Sequence, residues 1–198
     1  MTPNERRQRN PRRHGNPTAP VGPDRIRIEP MSDQEFQVSR NYTIPEHAAD
    51  YVRRGIWAEG VALETSREGF AQLLPQGLAT RGKHFCNILD NETGRRVGEV
   101  WYSVQEKGGK VQFSIDWIRI EPQNRRQGYA AQTIRLLENE ARGLGADRTW
   151  LNVWMDNLGA IALYRKLGYA ASDMRMMKLL NPRPRRPPPA RARKRSGI

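Results

Sequence analysis

Apolar residues recur along this chain with two different spacings, which predict helices in one part and strands in another. Over Phe36–Arg54 and Glu59–Leu74 the apolar positions fall every three or four residues, so both segments are predicted helices. Pro45 lies inside the first segment, and because proline disrupts a helix the pattern predicts a break near Ile44. A short alternating run over Arg25–Glu29 predicts a strand before these helices.

The middle of the chain alternates with the period of β-strands. Predicted strands cover Lys83–Asp90, Arg96–Val104 and Val111–Glu121, and short segments that contain glycine separate them. Strands joined by such tight turns pair in the antiparallel sense, so this region is predicted to form a meander.

The last third of the chain mixes predicted helices with predicted strands. The pattern predicts a helix over Gly128–Arg142, a strand over Asp147–Trp154, a helix over Asn157–Leu167 and one or two closing strands over Tyr169–Leu180. A strand, a helix and a further strand of these lengths imply a parallel pair joined by a right-handed crossover. The predicted fold class is therefore α+β (mixed α/β).

The predicted strand that ends at Glu121 changes the parity of its apolar residues. These residues form two sets, with Val111, Phe113, Ile115 and Trp117 in one and Ile118 and Ile120 in the other. Because strand side chains alternate between faces, such a change predicts a β-bulge near Trp117 and Ile118. A strand buried on both faces would give the same pattern, and both interpretations stay open. A bulge would move this strand away from its parallel neighbour and free backbone groups to bind an extended ligand.

Positive charge is concentrated at the two ends of the chain. Of the formal net charge of +13, residues 1–23 contribute +4, residues 181–198 contribute +7 and the central residues 24–180 contribute +2. Both ends are rich in proline and arginine and poor in apolar residues, so they are predicted to be disordered tails around one central domain. Such tails make weak contacts with nucleic acid or anionic surfaces, or they only raise solubility. The arginine clusters lack interleaved aromatic residues, which favours the second interpretation.

The composition argues against several classes of protein. Cys86 is the only cysteine, which excludes an intrachain disulfide and a cysteine-based zinc cluster and agrees with a cytoplasmic location. The three histidines are scattered without metal-ligand spacing, so no metal site is expected. The sequence has no apolar run long enough to span a membrane and no apolar segment typical of a secretory signal, so we expect no contact with a membrane.

The segment Arg125–Ala130 lies between a predicted strand and a predicted helix. The first backbone N–H groups of a helix have no intrahelical acceptor and carry the positive end of the helix dipole, so they attract anions. Gly128 permits a ligand to approach the backbone closely. The segment is therefore a candidate pyrophosphate-binding loop.

Two motifs resemble those of the GNAT family of N-acetyltransferases. Residues 118–130 resemble the acyl-CoA-binding motif, in which Arg or Gln is followed after two residues by Gly and then, one residue further, by Gly or Ala. Residues 157–169 resemble the family's helix with asparagine, alanine, tyrosine and glycine. Each motif alone is of moderate specificity, but the two occur here in the family's order with a predicted strand between them.

This resemblance implies a fold and a set of cofactor-binding residues. The fold would be a central mixed sheet of about six or seven strands with flanking helices and a bulged fourth strand. Acetyl-CoA, as a co-substrate, would bind between two parted parallel strands. The residues implied are Trp117, Ile118, Arg119 and Ile120 for the pantetheine arm, Arg125, Arg126, Gln127, Gly128, Tyr129, Ala130 and Ala131 for the pyrophosphate, and Asn157 and Tyr164 for the remaining contacts.

The resemblance also implies catalytic roles. Tyr164 would be the general acid that protonates the departing CoA thiolate. The alternative is a packing aromatic of an amphipathic helix, and the two motifs together favour the general acid. Asn157 would bind the pantetheine arm, act as an ordinary helix N-cap, or do both. A protonated amine acceptor needs a base, for which Asp116 is the first candidate and Glu99 the second.

The expected function is transfer of an acetyl group from acetyl-CoA to a primary amine by direct attack in a ternary complex. The acceptor is expected to be a small molecule or a peptide, and the protein to be a monomer or a homodimer. The alternative is an inactive acyl-CoA-binding module whose basic tails contact nucleic acid or the ribosome.

Overall fold

The computed structural model describes residues 25–178 and residue 180. It contains five strands and four α-helices with the following bounds: β1 Ile26–Pro30, α1 Asp33–Arg53, α2 Glu59–Leu73, β2 Lys83–Asp90, β3 Arg96–Lys107, β4 Lys110–Ile120, α3 Tyr129–Gly143, β5 Thr149–Leu151 and α4 Leu158–Lys166. The two predicted tails lie outside the described residues, so their predicted disorder is not tested. Within the described ranges, no helix is both long and apolar enough to cross a membrane.

The five strands form one mixed sheet in the order β1-β2-β3-β4-β5. β2, β3 and β4 are antiparallel neighbours, as the predicted meander requires, and β1 pairs with β2 in the same antiparallel sense. β5 pairs in parallel with β4, and α3 provides the crossover between them. The predicted parallel pair is therefore confirmed, and the α+β fold class with it.

The bulge predicted in β4 is present one residue earlier than expected. Trp117 pairs with Trp101 and Ile115 pairs with Tyr102, so Asp116 is the extra residue. This insertion explains the change of parity, because it places Phe113 and Ile115 on the same face of the sheet as Ile120.

The two faces of the sheet carry separate cores. On one face, α3 packs against aliphatic strand residues, and Ile88, Val100, Ile134 and Leu137 are completely buried there. On the other face, α1 and α2 cover an aromatic cluster whose members are Met31, Phe36, Ile44, Phe70, Leu74, Phe85 and Trp101. We call these the α3 face and the α1–α2 face.

The predicted break at Pro45 does not occur, because α1 runs through it as one helix of 21 residues. A capping box starts this helix: Ser32 accepts a hydrogen bond from the backbone of Glu35, and the Glu35 carboxylate accepts one from the backbone of Ser32. Proline costs the helix one hydrogen bond, but burial of Ile44 and Ala48 on either side of it offsets that loss.

The predicted closing strands over Tyr169–Leu180 are also wrong, and among the described residues the sheet has five strands instead of six or seven. Residues 171–178 adopt no regular structure. Met174, Met176 and Met177 are exposed, and methionine has only a weak preference for strands. The strand predicted over Asp147–Trp154 shortens to β5, so Trp154 lies in the loop that follows it.

Candidate acyl-CoA site

β4 and β5 separate after three paired residues. Their parallel register covers Phe113 to Ile115 on β4 and ends there, whereas β4 itself continues to Ile120. Residues 116–120 of β4 therefore keep β3 on one side and have no paired strand on the other, within the residues that the structure describes. The separation begins at the bulged residue, Asp116. The edge left open has unpaired backbone groups that an extended ligand can bind.

The close approach of β3 to this part of β4 depends on Gly98. A Cβ atom at Gly98 would lie 2.3 Å from the carbonyl oxygen of Arg119. A larger residue there would displace the open segment of β4. The position of this segment therefore depends on glycine at residue 98.

The start of α3 has the backbone of an anion-binding loop. Gly128 is its N-cap with a left-handed φ of 86°, and Arg126 has a φ of 62°, which is rare for a residue with a side chain. Gln132 donates the first intrahelical hydrogen bond, to the carbonyl of Gly128 at 3.1 Å. The N–H groups at the first helical positions therefore have no acceptor in the helix and are available to a ligand.

A network that the sequence motifs do not include ties this loop to the sheet. The buried hydroxyl of Tyr129 donates to the Asp90 carboxylate at 2.7 Å. Arg25 lies over the Tyr129 ring, 4.4 Å from its centroid, and donates to the carbonyl of Gln127 at 3.2 Å and to the hydroxyl of Tyr129 at 2.8 Å. The bond from Tyr129, together with bonds from Thr93 and Arg25, lowers the pKa of Asp90 to about 2. Arg25, which directly precedes β1, and Asp90, at the end of β2, thus tether the loop to the sheet.

The two arginines of the predicted loop differ in their surroundings. Arg125 directs its Nε to the carbonyl of Ile120 at 3.0 Å and so stabilises the end of β4. Arg126 is exposed and precedes Gly128 by two residues. Gln127 donates to the carbonyl of Gln123 at 3.2 Å, which closes the turn before α3.

The predicted residues of α4 lie on the α3 face. Tyr164 is half-buried against the aliphatic core that Ile118 and Ala130 also contact, so the structure brings parts of both motifs to one cluster. Burial raises the pKa of Tyr164, which keeps its hydroxyl protonated at neutral pH. Asn157 is exposed and accepts a hydrogen bond from the backbone N–H of Ala160 at 3.2 Å, so its predicted capping role is present.

The two carboxylates considered as bases both lie on the α1–α2 face but differ in exposure. Asp116 is exposed beside the opening between β4 and β5 and accepts hydrogen bonds from Lys83 at 3.0 Å, from Ser114 at 2.7 Å and from Ser103. Glu99 is completely buried beneath α1.

Glu99 is the centre of a polar network that the sequence did not predict. Its carboxylate accepts from Arg96 at 2.7 Å, from Ser39 at 3.2 Å and from the indole nitrogen of Trp117 at 3.2 Å, as well as from the hydroxyl of Tyr42. Desolvation and the neighbouring Glu99 raise the pKa of Tyr42. The network fixes Trp117 and therefore the start of the open β4 segment. Tyr42 was missed because nothing in its spacing distinguishes it from an ordinary helix residue.

Comparison with known proteins agrees with this geometry. Residues 49–169, more than half of the chain, match the acetyltransferase (GNAT) family. The chain is 31% identical over 153 residues to the N-acetyltransferase YdgE of Bacillus subtilis, covering 77% of this chain and 97% of YdgE. It is 33% identical over 156 residues to the N-acetyltransferase YycN of the same organism, covering 78% of this chain and 99% of YycN. Both of these relatives are themselves uncharacterized.

The structural comparison gives the same result. The crystal structure of YycN superposes with a TM-score of 0.73 at 30% identity and covers 79% of this chain and 99% of that one. A protein from Pyrococcus furiosus superposes with a TM-score of 0.53 at 23% identity, covers 78% of this chain and 99% of that one, and shares the fold alone. With a family match over more than half of its length and relatives that it covers almost end to end, this chain belongs to the GNAT family of N-acetyltransferases.

Proposed function

We propose that the protein transfers an acetyl group from acetyl-CoA to a primary amine by direct attack in a ternary complex. The observation that carries this proposal is the opening between β4 and β5, which leads to the unpaired N–H groups at the start of α3. An extended arm that ends in a pyrophosphate fits these two features together. The family implies an acyl-CoA co-substrate, and the residues present here fit one.

Different segments of the chain are proposed to bind the pantetheine arm and the pyrophosphate of acetyl-CoA. The backbone of Trp117–Ile120 binds the pantetheine arm, because that edge of β4 has no paired strand among the described residues. The backbone of Arg126–Ala131 binds the pyrophosphate, and the side chains of Arg125 and Arg126 add positive charge. Asn157 contacts the arm from the start of α4.

In the proposed reaction the amine nitrogen forms a bond to the acetyl carbon while the carbon–sulfur bond breaks. Asp116 removes one proton of the ammonium form before attack, and Tyr164 donates its proton to the departing thiolate. The acetylated nitrogen then loses its excess proton to solvent, from which the Tyr164 phenolate is reprotonated. Asp116 is preferred over Glu99 because it is exposed at the point where the strands separate. Glu99 is enclosed by four donors. A backbone N–H near the bulge stabilises the developing oxyanion.

Calorimetric titration with acetyl-CoA, combined with measurement of thiol release over a panel of primary amines, tests the proposal. We expect binding of one acetyl-CoA per chain and amine-dependent release of CoA. Asp116→Asn should lower kcat/KM by at least about tenfold, because the variant keeps the size of the side chain and removes the proton acceptor. Tight binding without turnover of any amine would instead indicate an acyl-CoA-binding module.

A further inference from the structure

An open groove crosses the α1–α2 face of the sheet beside Asp116. Its volume is about 340 Å³, which lies within the range of pockets that bind small molecules. The side chains that line it and bear on its chemistry are Lys83, Ser103, Gln105, Gln112, Ser114 and Trp150. The groove is separate from the loop at the start of α3, which lies at the other end of β4.

The polar walls of this groove are uncharged amides and hydroxyls. Gln105 and Gln112 pair across β3 and β4, and both side chains are exposed. Their amides make no hydrogen bond within the described residues, so each offers both a donor and an acceptor to a ligand. The single cation, Lys83, is already held by Asp116 and Ser103.

One wall of the groove is flat and apolar. Trp150 on β5 is 44% exposed, although tryptophan has a large apolar surface that is usually buried. An aromatic plate that faces several amides and hydroxyls is complementary to a saturated ring with apolar faces and hydroxyl groups around its edge.

The groove reaches the proposed site of transfer. Asp116 shares hydrogen bonds with Ser103 and Ser114, both of which line the groove, and it marks the point where β4 leaves β5. A ligand that lies against Trp150 therefore has a path to place a nitrogen atom beside Asp116, facing the open edge of β4.

We propose that this groove is the acceptor site and that it takes a primary amine carried on a hydroxylated ring, the chemistry of an amino sugar. This inference rests on the proposed function for the acetyl donor and adds the class of acceptor. It assigns Trp150 to stacking and Gln105 and Gln112 to recognition of hydroxyl groups.

Glucosamine and cyclohexylamine form a matched pair of probes, because both carry the amine on a six-membered ring and only glucosamine has hydroxyl groups. We expect kcat/KM for glucosamine to exceed that for cyclohexylamine by about 100-fold, because an acceptor without hydroxyls leaves the amides unpaired. Gln112→Leu should reduce this preference by about tenfold, whereas Trp150→Ala should weaken both amines alike. Comparing each variant with the wild type cancels the different basicities of the two amines.

Trp154→Ala is the control, since Trp154 is 38% exposed but lies outside the groove, and it should change neither rate. Calorimetric titration of glucosamine into the protein separates the two proposals. If glucosamine binds, Gln112→Leu weakens that binding and no turnover occurs, the groove is an amino-sugar site but the proposed acetyl transfer is wrong. If amines are acetylated with no preference for glucosamine, the groove is not the acceptor site, although the proposed acetyl transfer is correct. The same conclusion follows if glucosamine is preferred but neither Gln112→Leu nor Trp150→Ala alters that preference.

Discussion

The α3 face and the α1–α2 face of the sheet differ in the types of side chain that form their cores. The α3 face has an aliphatic core with Ile88, Ile134 and Leu137 at its centre, and the candidate cofactor loop lies at its edge. The α1–α2 face combines aromatic rings with the buried carboxylate of Glu99 and carries the groove beside Asp116. In the proposed function the first face holds the donor and the second admits the acceptor.

This difference shows how rigidity is obtained on each side. Aliphatic packing holds α3 against the sheet, with a hydrogen bond from Tyr102 to Glu140 at 2.7 Å. The loop before α3 has a separate tether, which Arg25, Asp90 and Tyr129 provide. On the other face, a saturated hydrogen-bond network positions Trp117 directly. Substitutions confined to one face test whether the two faces have these separate roles.

The largest effect is expected at the start of α3. Gly128→Glu should weaken acetyl-CoA binding by at least about 100-fold, because glutamate brings negative charge to the anion site and a side chain to a backbone with a φ of 86°. Calorimetric titration measures the change. The control is Gly69→Glu, where an added Cβ meets no atom within 4 Å. Retained tight binding in Gly128→Glu would show that the cofactor lies elsewhere.

The next effect is expected at Tyr164. Tyr164→Phe should lower kcat by about 100-fold with little change in acetyl-CoA affinity, because the variant keeps the ring and removes only the proton donor. Stopped-flow detection of thiol release measures this rate. Tyr169→Phe is the matched control, since that ring is 5.9 Å away and its hydroxyl is paired with Thr149 at 2.8 Å. An unchanged kcat in Tyr164→Phe would exclude the role as general acid.

A smaller effect, on stability, is expected on the α1–α2 face. Glu99→Gln should lower the free energy of unfolding by about 2 kcal/mol, because the amide nitrogen must face donors and Arg96 loses its buried counter-charge. Denaturant titration measures the change. Glu106→Gln, at an exposed position near the end of β3, should have almost no effect. Equal stability of the two variants would mean that the Glu99 network adds no net stability.

The smallest effect is expected at the tether of the cofactor loop. The pKa of Asp90 in the folded protein lies below its unfolded value of 3.8, at about 2, so the stability it contributes is present above about pH 4 and is lost as the pH falls towards 2. Tyr129→Phe removes the strongest donor to Asp90. It should cost about 1 kcal/mol at neutral pH and make the loss between about pH 4 and pH 2 shallower.

Unfolding measured as a function of pH tests this expectation. Tyr51→Phe serves as the control, because the Tyr51 hydroxyl has no hydrogen bond among the described residues. An acid transition of identical shape in wild type and Tyr129→Phe would show that Asp90 derives its low pKa from other donors.

The sequence predicts most strands and helices well but does not predict the buried polar networks. The alternation of apolar residues places β2 at its observed bounds and locates the bulge in β4 to within a residue. It fails at Pro45, where tertiary burial outweighs the cost of one hydrogen bond, and at residues 171–178, where Met174, Met176 and Met177 remain exposed. It cannot predict the Glu99 and Asp90 networks, because a buried polar group has no periodic signature and its partners are distant in the chain.

The short pairing of β4 with β5 has a consequence for the order of folding. β2, β3 and β4 pair with their neighbours in sequence across short turns, whereas Phe113 must meet Thr149 across the whole of α3. Closing that longer loop costs more chain entropy and is rewarded by only three residue pairs. We therefore expect the antiparallel meander of β2, β3 and β4 to form before the opening for acyl-CoA is completed, so that the cofactor acts on a late step of folding.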